Sequence, residues 1–144
     1  MKKTLIALVL ATGIALVAVP ADTGVGGMLG DPTGVSVLLE NRVALAAAWS
    51  IDDYLHLHAD LWLVRDPFVE PLNWYLGLGG KVLLLGDRGG RDNDALVLGA
   101  RVPVGLQWYV APRLELFAEI APGMTILPDT GLDVDGGIGL RFHF

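Results

Sequence analysis

The chain has no cysteine among its 144 residues. The chain therefore holds together without disulfides, and it offers no lipobox cysteine to carry a lipid anchor. Basic residues are scarce: ten lysines and arginines stand against sixteen acids, for a formal net charge of −6. That balance argues against nucleic acid as a partner, because phosphate binding draws on clustered positive charge. Beyond the first twenty residues, no apolar run reaches the roughly 20 residues of a membrane-spanning helix. Yet 53% of the chain is hydrophobic and 19 residues are glycine. An apolar chain with neither disulfides nor a later spanning helix points to strands.

Residues 1–21 read as a cleavable signal peptide. Lys2 and Lys3 form a charged start, an apolar run follows over residues 5–19 with Thr12 and Gly13 inside it, and Val19-Pro20-Ala21 offers small residues for cleavage. A retained membrane helix is the alternative reading, but the run is short, and Pro20 followed by Asp22 and Thr23 suits removal better. Loss of Lys2 and Lys3 with the leader takes the formal net charge from −6 to −8. The expected mature part, residues 22–144, fits one domain.

The clearest pattern lies at the end of the chain. Over residues 132–144, Leu132, Val134, Ile138, Leu140, Phe142 and Phe144 fall on one side, and Asp133, Asp135, Gly137, Gly139, Arg141 and His143 on the other. A period of two is a strand with one apolar and one polar face. Seven further runs read the same way: residues 23–30, 34–40, 43–51, 54–64, 74–85, 96–109 and 113–121. Asp31-Pro32, Asn41-Arg42, Asp52-Asp53, Ala111-Pro112 and residues 127–131 supply turns. Residues 65–71, with Pro67 and Pro71, are expected to be a loop. Residues 86–94 form the longest plainly polar segment. Pro103 interrupts an otherwise clean run by removing a ladder donor, so a bulge is expected there.

Alternation by itself does not say which face is outside. The polar face mixes charges with many glycines, as the narrow interior of a small barrel requires and as an exposed strand surface seldom does. Trp74, Trp108, Phe142 and Phe144 all lie in the apolar phase near the end that holds the chain termini. Aromatic girdles at a membrane interface have this pattern. The expected fold is therefore all-β: an eight-stranded antiparallel up-and-down transmembrane β-barrel. Its first and last strands must pair, since unpaired backbone groups in lipid are costly. A soluble periplasmic lipocalin-like binding barrel is the alternative, with the apolar face turned inward.

Counting from the turns puts Lys81, Arg101 and Glu119 at mid-height on three consecutive strands, with Asp60 on the strand before and Arg141 near Glu115. A mixed-sign network filling the lumen is expected, because confined charges persist only when paired. Side chains then leave no open pore. Neutralising Glu119 is expected to destabilise the protein more than altering a loop acid such as Asp92.

Some motifs are less informative. His56-x-His58-x-Asp60 resembles the start of the zinc motif of metallo-β-lactamase-type hydrolases, but Leu61 stands where the last histidine belongs, and a closed zinc site wants more ligands. Leu127-Pro-Asp-Thr-Gly131 matches a sorting signal but reads better as a turn. Gly77-Leu-Gly-Gly80 lacks the helix that a phosphate loop needs, and Asp87, Asp92, Asn93 and Asp94 read as a solvated loop rather than a calcium site. No metal, cofactor or catalytic residue is expected.

Taken together, the leader, the eight runs and the terminal Phe144 resemble small bacterial outer-membrane barrels of the OmpA/OmpX type. The resemblance implies a location in the outer membrane, contact with its lipid, recognition of Leu140, Phe142 and Phe144 by the barrel assembly machinery, and a monomer. It also implies a structural or surface-interaction role with an unspecified extracellular ligand, since fold alone does not select among functions. A lipid-modifying enzyme is the second class; Ser50 and His56 are its only nearby candidates, and no acidic third member accompanies them.

Overall fold

Nine strands close into one ring of eight staves. The computed structural model describes residues 21–49, 54–85 and 96–144. The expected signal peptide apart from Ala21, the Asp52-Asp53 turn, Ser50 and the polar segment 86–94 lie outside the described residues. The strands are β1 (Gly24–Asp31), β2 (Gly34–Leu39), β3 (Val43–Trp49), β4 (Tyr54–Val69), β5 (Leu72–Leu85), β6 (Leu96–Arg101), β7 (Val104–Ala111), β8 (Leu114–Leu127) and β9 (Gly131–His143). All pairings are antiparallel and join staves adjacent in the chain, and β1 pairs with β9 to close the barrel. The closing ladder runs from Gly24↔His143 to Asp31↔Gly136. The glycine-blurred first run is thus a strand, and it supplies the partner that the last strand needs.

β6 and β7 are two halves of one stave. Gly79↔Arg101 and Leu76↔Val104 keep one register against β5, and Arg101↔Gly123 and Val104↔Ile120 keep one register against β8. The bulge expected at Pro103 is therefore absent: the ladder is interrupted, but no extra residue is inserted. Pro103 loses only its own donor. Its carbonyl still accepts from Gly77 N–H at 2.9 Å, and on the next pair Pro122 O accepts from Val102 N–H at 2.9 Å.

Three other expectations need correction. The turn between β2 and β3 is centred one residue earlier than Asn41-Arg42. Glu40 and Asn41 both have positive φ, and Arg42 N–H donates to Leu39 O at 2.9 Å, as in the tight turns that match strand twist. More substantially, residues 65–69 are strand rather than loop. β3 leaves β4 at Val43↔Leu61, with one last bond from Trp62 N–H to Arg42 O at 2.7 Å. Below that level β4 pairs with β5 only, down to Val69↔Leu72. Proline is tolerated on such an edge because no neighbour awaits its N–H. β8 likewise continues beyond Ala121 to Leu127, where it pairs with both β6 and β9.

Candidate functional site

The period of two turns one row of each strand inward, and the inward rows carry nearly all of the buried charge. Asp60, Lys81, Arg101, Glu115, Glu119, Asp135 and Arg141 are all buried, along with His56, His58 and His143. Arg101 is the hub of the upper lumen. Its Nε stands 3.1 Å from Asp60 Oδ1, its Nη2 pairs with Glu119 Oε1, and its Nη1 lies 3.4 Å from Asp135 Oδ2. Lys81 reaches across to the closing strand, 2.5 Å from Asp133 Oδ2 and 3.2 Å from Asp135 Oδ2. Of the residues named from sequence, Asp60, Arg101 and Glu119 meet directly. Lys81 joins them through Asp135 rather than through Glu119.

His58, Asp60 and Glu119 bring one potential ligand atom each within 4.8 Å of one another. The chemistry of the cluster favours Arg101, not a metal, as its cation. Arg101 Nη1 lies 3.2 Å from His58 Nδ1, and an arginine only donates. Nδ1 must therefore accept, which in the neutral ring leaves the proton on Nε2, the atom 3.7 Å from Asp60 Oδ2. A metal at Nε2 would need that proton moved to Nδ1, against the guanidinium. His56 Nε2 makes the other contact to His58 Nδ1, at 3.3 Å.

Beneath this cluster lies an aromatic layer. Trp62 and Tyr75 stack with centroids 3.8 Å apart and planes 11° from parallel, packed with Leu38 and Ala44. Tyr75 O–H donates to Glu119 Oε2 at 2.7 Å, which ties the layer to the charges above it. Phe117, which packs with Met28 and Ala46, receives the Arg141 guanidinium on its face, 3.7 Å from the ring centroid, a cation–π contact in a desolvated place. Glycine makes room for these rings. A Cβ at Gly105 would overlap the Tyr75 phenol, and one at Gly139 would overlap Phe117. Gly105 and Gly139 are thus where cross-strand aromatics come up against the wall.

The lowest layer is polar again. Arg141 Nη1 donates to Glu115 Oε1 at 2.7 Å, while its Nε and Nη2 donate to Ser36 Oγ at 3.0 and 2.9 Å. Glu115 Oε2 also lies 2.5 Å from His143 Nε2. At the mouth, Tyr109 O–H donates to Asn41 Oδ1 at 2.8 Å, and Arg65 Nε donates to Gln107 Oε1 at 2.7 Å. Arg65 owes its aim to the irregularity between Trp62 and Val64, which shifts the phase of β4 by one residue so that Arg65 faces Tyr75.

Asp133, Asp135, Tyr75, Ser36, His143 and the Asn41 group are absent from the network expected from sequence. The inward phase of the strand residues among them is readable along the chain, but their partners are not. On the outside, Trp108, Phe142 and Phe144 are exposed and Trp74 is half-buried, all toward the end that carries the termini. Phe142 and Phe144 meet edge to face, with centroids 5.6 Å apart. Phe68, on the strand segment expected to be a loop, is also exposed, near the end of β4 and in the same outer groove as Trp74. Compared with family models, with curated proteins and with solved structures, the chain matches none.

Proposed function

We propose that the chain is an integral outer-membrane β-barrel protein with a sealed lumen and a structural or surface-interaction role. The observation that carries this reading is the inversion of the fold. Leu78, Ile120 and Ile138 on the outer wall are 55%, 61% and 62% exposed, while Asp60 and Arg101 side chains inside are 0% and 1% exposed. A water-soluble barrel would place these rows the other way round, since large contiguous apolar surface in water marks an interaction site. Closure of β1 on β9 suits hydrocarbon as well, because it pairs the backbone along the seam from Gly24↔His143 to Asp31↔Gly136. The stacked layers of side chains supply no room for a continuous pore.

The soluble binding barrel is disfavoured by the same inversion, which leaves charge and not an apolar cavity inside. The lipid-modifying reading gains no support: His56 is buried and bonded to His58, and Ser50 lies outside the described residues. The test is gel mobility of the protein from isolated outer membranes, cold against boiled, with N-terminal sequencing of the band. A heat-dependent shift and a start near Asp22 are expected. Recovery in the soluble periplasmic fraction without a shift overturns the reading.

A further inference from the structure

The barrel wall is uneven at the end away from the termini. β9 rises past β1: its residues 131–135 pair with β8 alone among the described residues, because the β1 ladder stops at Asp31↔Gly136. The direction of the free groups follows from the neighbouring ladder. Val102 N–H donates to Pro122 O, so the polar backbone of Pro122 faces β6, and that of its partner Val134 faces away from β8. Leu132 shares this phase, and Phe144, in the same phase at the other end of the strand, donates to Thr23 O on the β1 side. The N–H and C=O groups of Leu132 and Val134 therefore form an open sheet edge.

Open edges are normally blunted by proline, charge or bulges. The lower edge of β4 is blunted in this way, with Arg65, Asp66, Pro67 and two register shifts. The upper edge of β9 has no proline, no register shift and no charge on its outward face. Its outward side chains, Leu132 and Val134, are 89% and 67% exposed. Its inward ones are Asp133 and Asp135, at the rim of a lumen where, among the described residues, Asp60, Glu119, Asp133 and Asp135 share the cations Lys81 and Arg101. Asp133 also keeps one buried carboxylate oxygen without a hydrogen bond.

We propose that this edge docks an extended polypeptide segment of another protein as an added β-strand. The segment carries apolar residues against Leu132 and Val134 and basic residues beside Asp133 and Asp135. Strand addition uses backbone hydrogen bonds for affinity and alternate side chains for selectivity, and opposite charges facing one another across a strand pair favour the right partner. The inference goes beyond the membrane reading, and neither the edge nor its charge depends on it. Unpaired groups are costly in hydrocarbon, so in a bilayer this edge stands on the water side of the apolar band.

The test uses the full chain folded in detergent micelles, titrated calorimetrically with two synthetic heptapeptides, one alternating valine with lysine and one alternating valine with glutamate. Saturable one-to-one binding of the valine–lysine peptide is expected, at least tenfold tighter than the valine–glutamate peptide. Amide exchange at Leu132 and Val134 should slow at least tenfold on binding. Val134→Pro removes an edge donor without touching the β8 ladder and should weaken binding at least tenfold. Equal affinity for both peptides, undiminished binding by a folded Val134→Pro, or no saturable binding overturns the proposal. If Val134→Pro does not fold, the exchange rates in the unaltered protein decide: binding that leaves Leu132 and Val134 unprotected overturns it.

Discussion

Arg101 and Asp60 face one another inside the barrel from staves separated by β5, with Nε and Oδ1 3.1 Å apart and both side chains shut off from solvent. The pair forms because Gly79, between them on β5, aligns with both residues. Its lack of a Cβ is required, since one would overlap the Asp60 carboxylate. Breaking a buried pair by removing one partner typically costs about 3–5 kcal/mol. Arg101→Met should fall at the upper end of that range, because Asp60, Glu119 and Asp135 lose the same cation. Urea unfolding in micelles measures this; a loss under about 1 kcal/mol would remove Arg101 from the centre of the network.

Glu119 accepts from both Arg101 and Tyr75, whereas Asp129 is exposed in the last turn. Glu119→Gln should lower the unfolding midpoint clearly, and Asp129→Asn should stay within about 0.5 kcal/mol of the parent, as surface changes do. Asp92→Asn, in the polar segment read from sequence as a loop, serves as a second control. Equal midpoints for Glu119→Gln and either control would contradict the layered network.

Tyr75→Phe keeps the ring against Trp62 and removes one hydrogen bond to a carboxylate. The expected loss is about 1.5–3 kcal/mol, with the near-ultraviolet circular dichroism of the Trp62–Tyr75 stack retained. Loss of that signal together with stability would mean that the hydroxyl positions the ring.

Gly105→Ala places a methyl group into the Tyr75 phenol, while Gly131→Ala meets nothing within 4 Å. The first should cost about 1–3 kcal/mol, as overpacking does, and the second almost nothing. A tolerant Gly105→Ala would show that Tyr75 has space to move.

Leu78→Arg separates the two environments proposed for the outer wall. In a bilayer an arginine at mid-wall costs about 2–4 kcal/mol; in water the same exchange at an exposed site is nearly neutral. Refolding into lipid vesicles, followed by urea titration, gives the answer. A neutral Leu78→Arg would argue for a water-facing exterior.

Much of this arrangement can be read along the chain. The runs over 54–64 and 132–144 place His58, Asp60, Asp133, Asp135 and Arg141 on their polar faces by alternation alone, because side-chain direction alternates within a single strand. The joining of Arg141 to Glu115 is also within reach, since the two strands share one hairpin and their register follows from a short turn. Proline is harder to read. Pro67 suggests a loop and Pro103 a bulge, yet each effect depends on whether a neighbouring strand waits for the missing N–H, which no local pattern contains.

Sequence alone thus determined the number of staves, their order and the inward or outward phase of the residues on most of each stave, since these follow from local backbone geometry and from turns a few residues long. Tertiary structure decided which inward residues meet. Closing tilted strands into a ring staggers them, and that stagger carries Lys81 to Asp133 and Asp135 on the far strand, brings Asn41 under the mouth to Tyr109, and lifts Leu132 and Val134 clear of β1. Stagger is a property of closure, set by all the pairings at once, and no single strand encodes it.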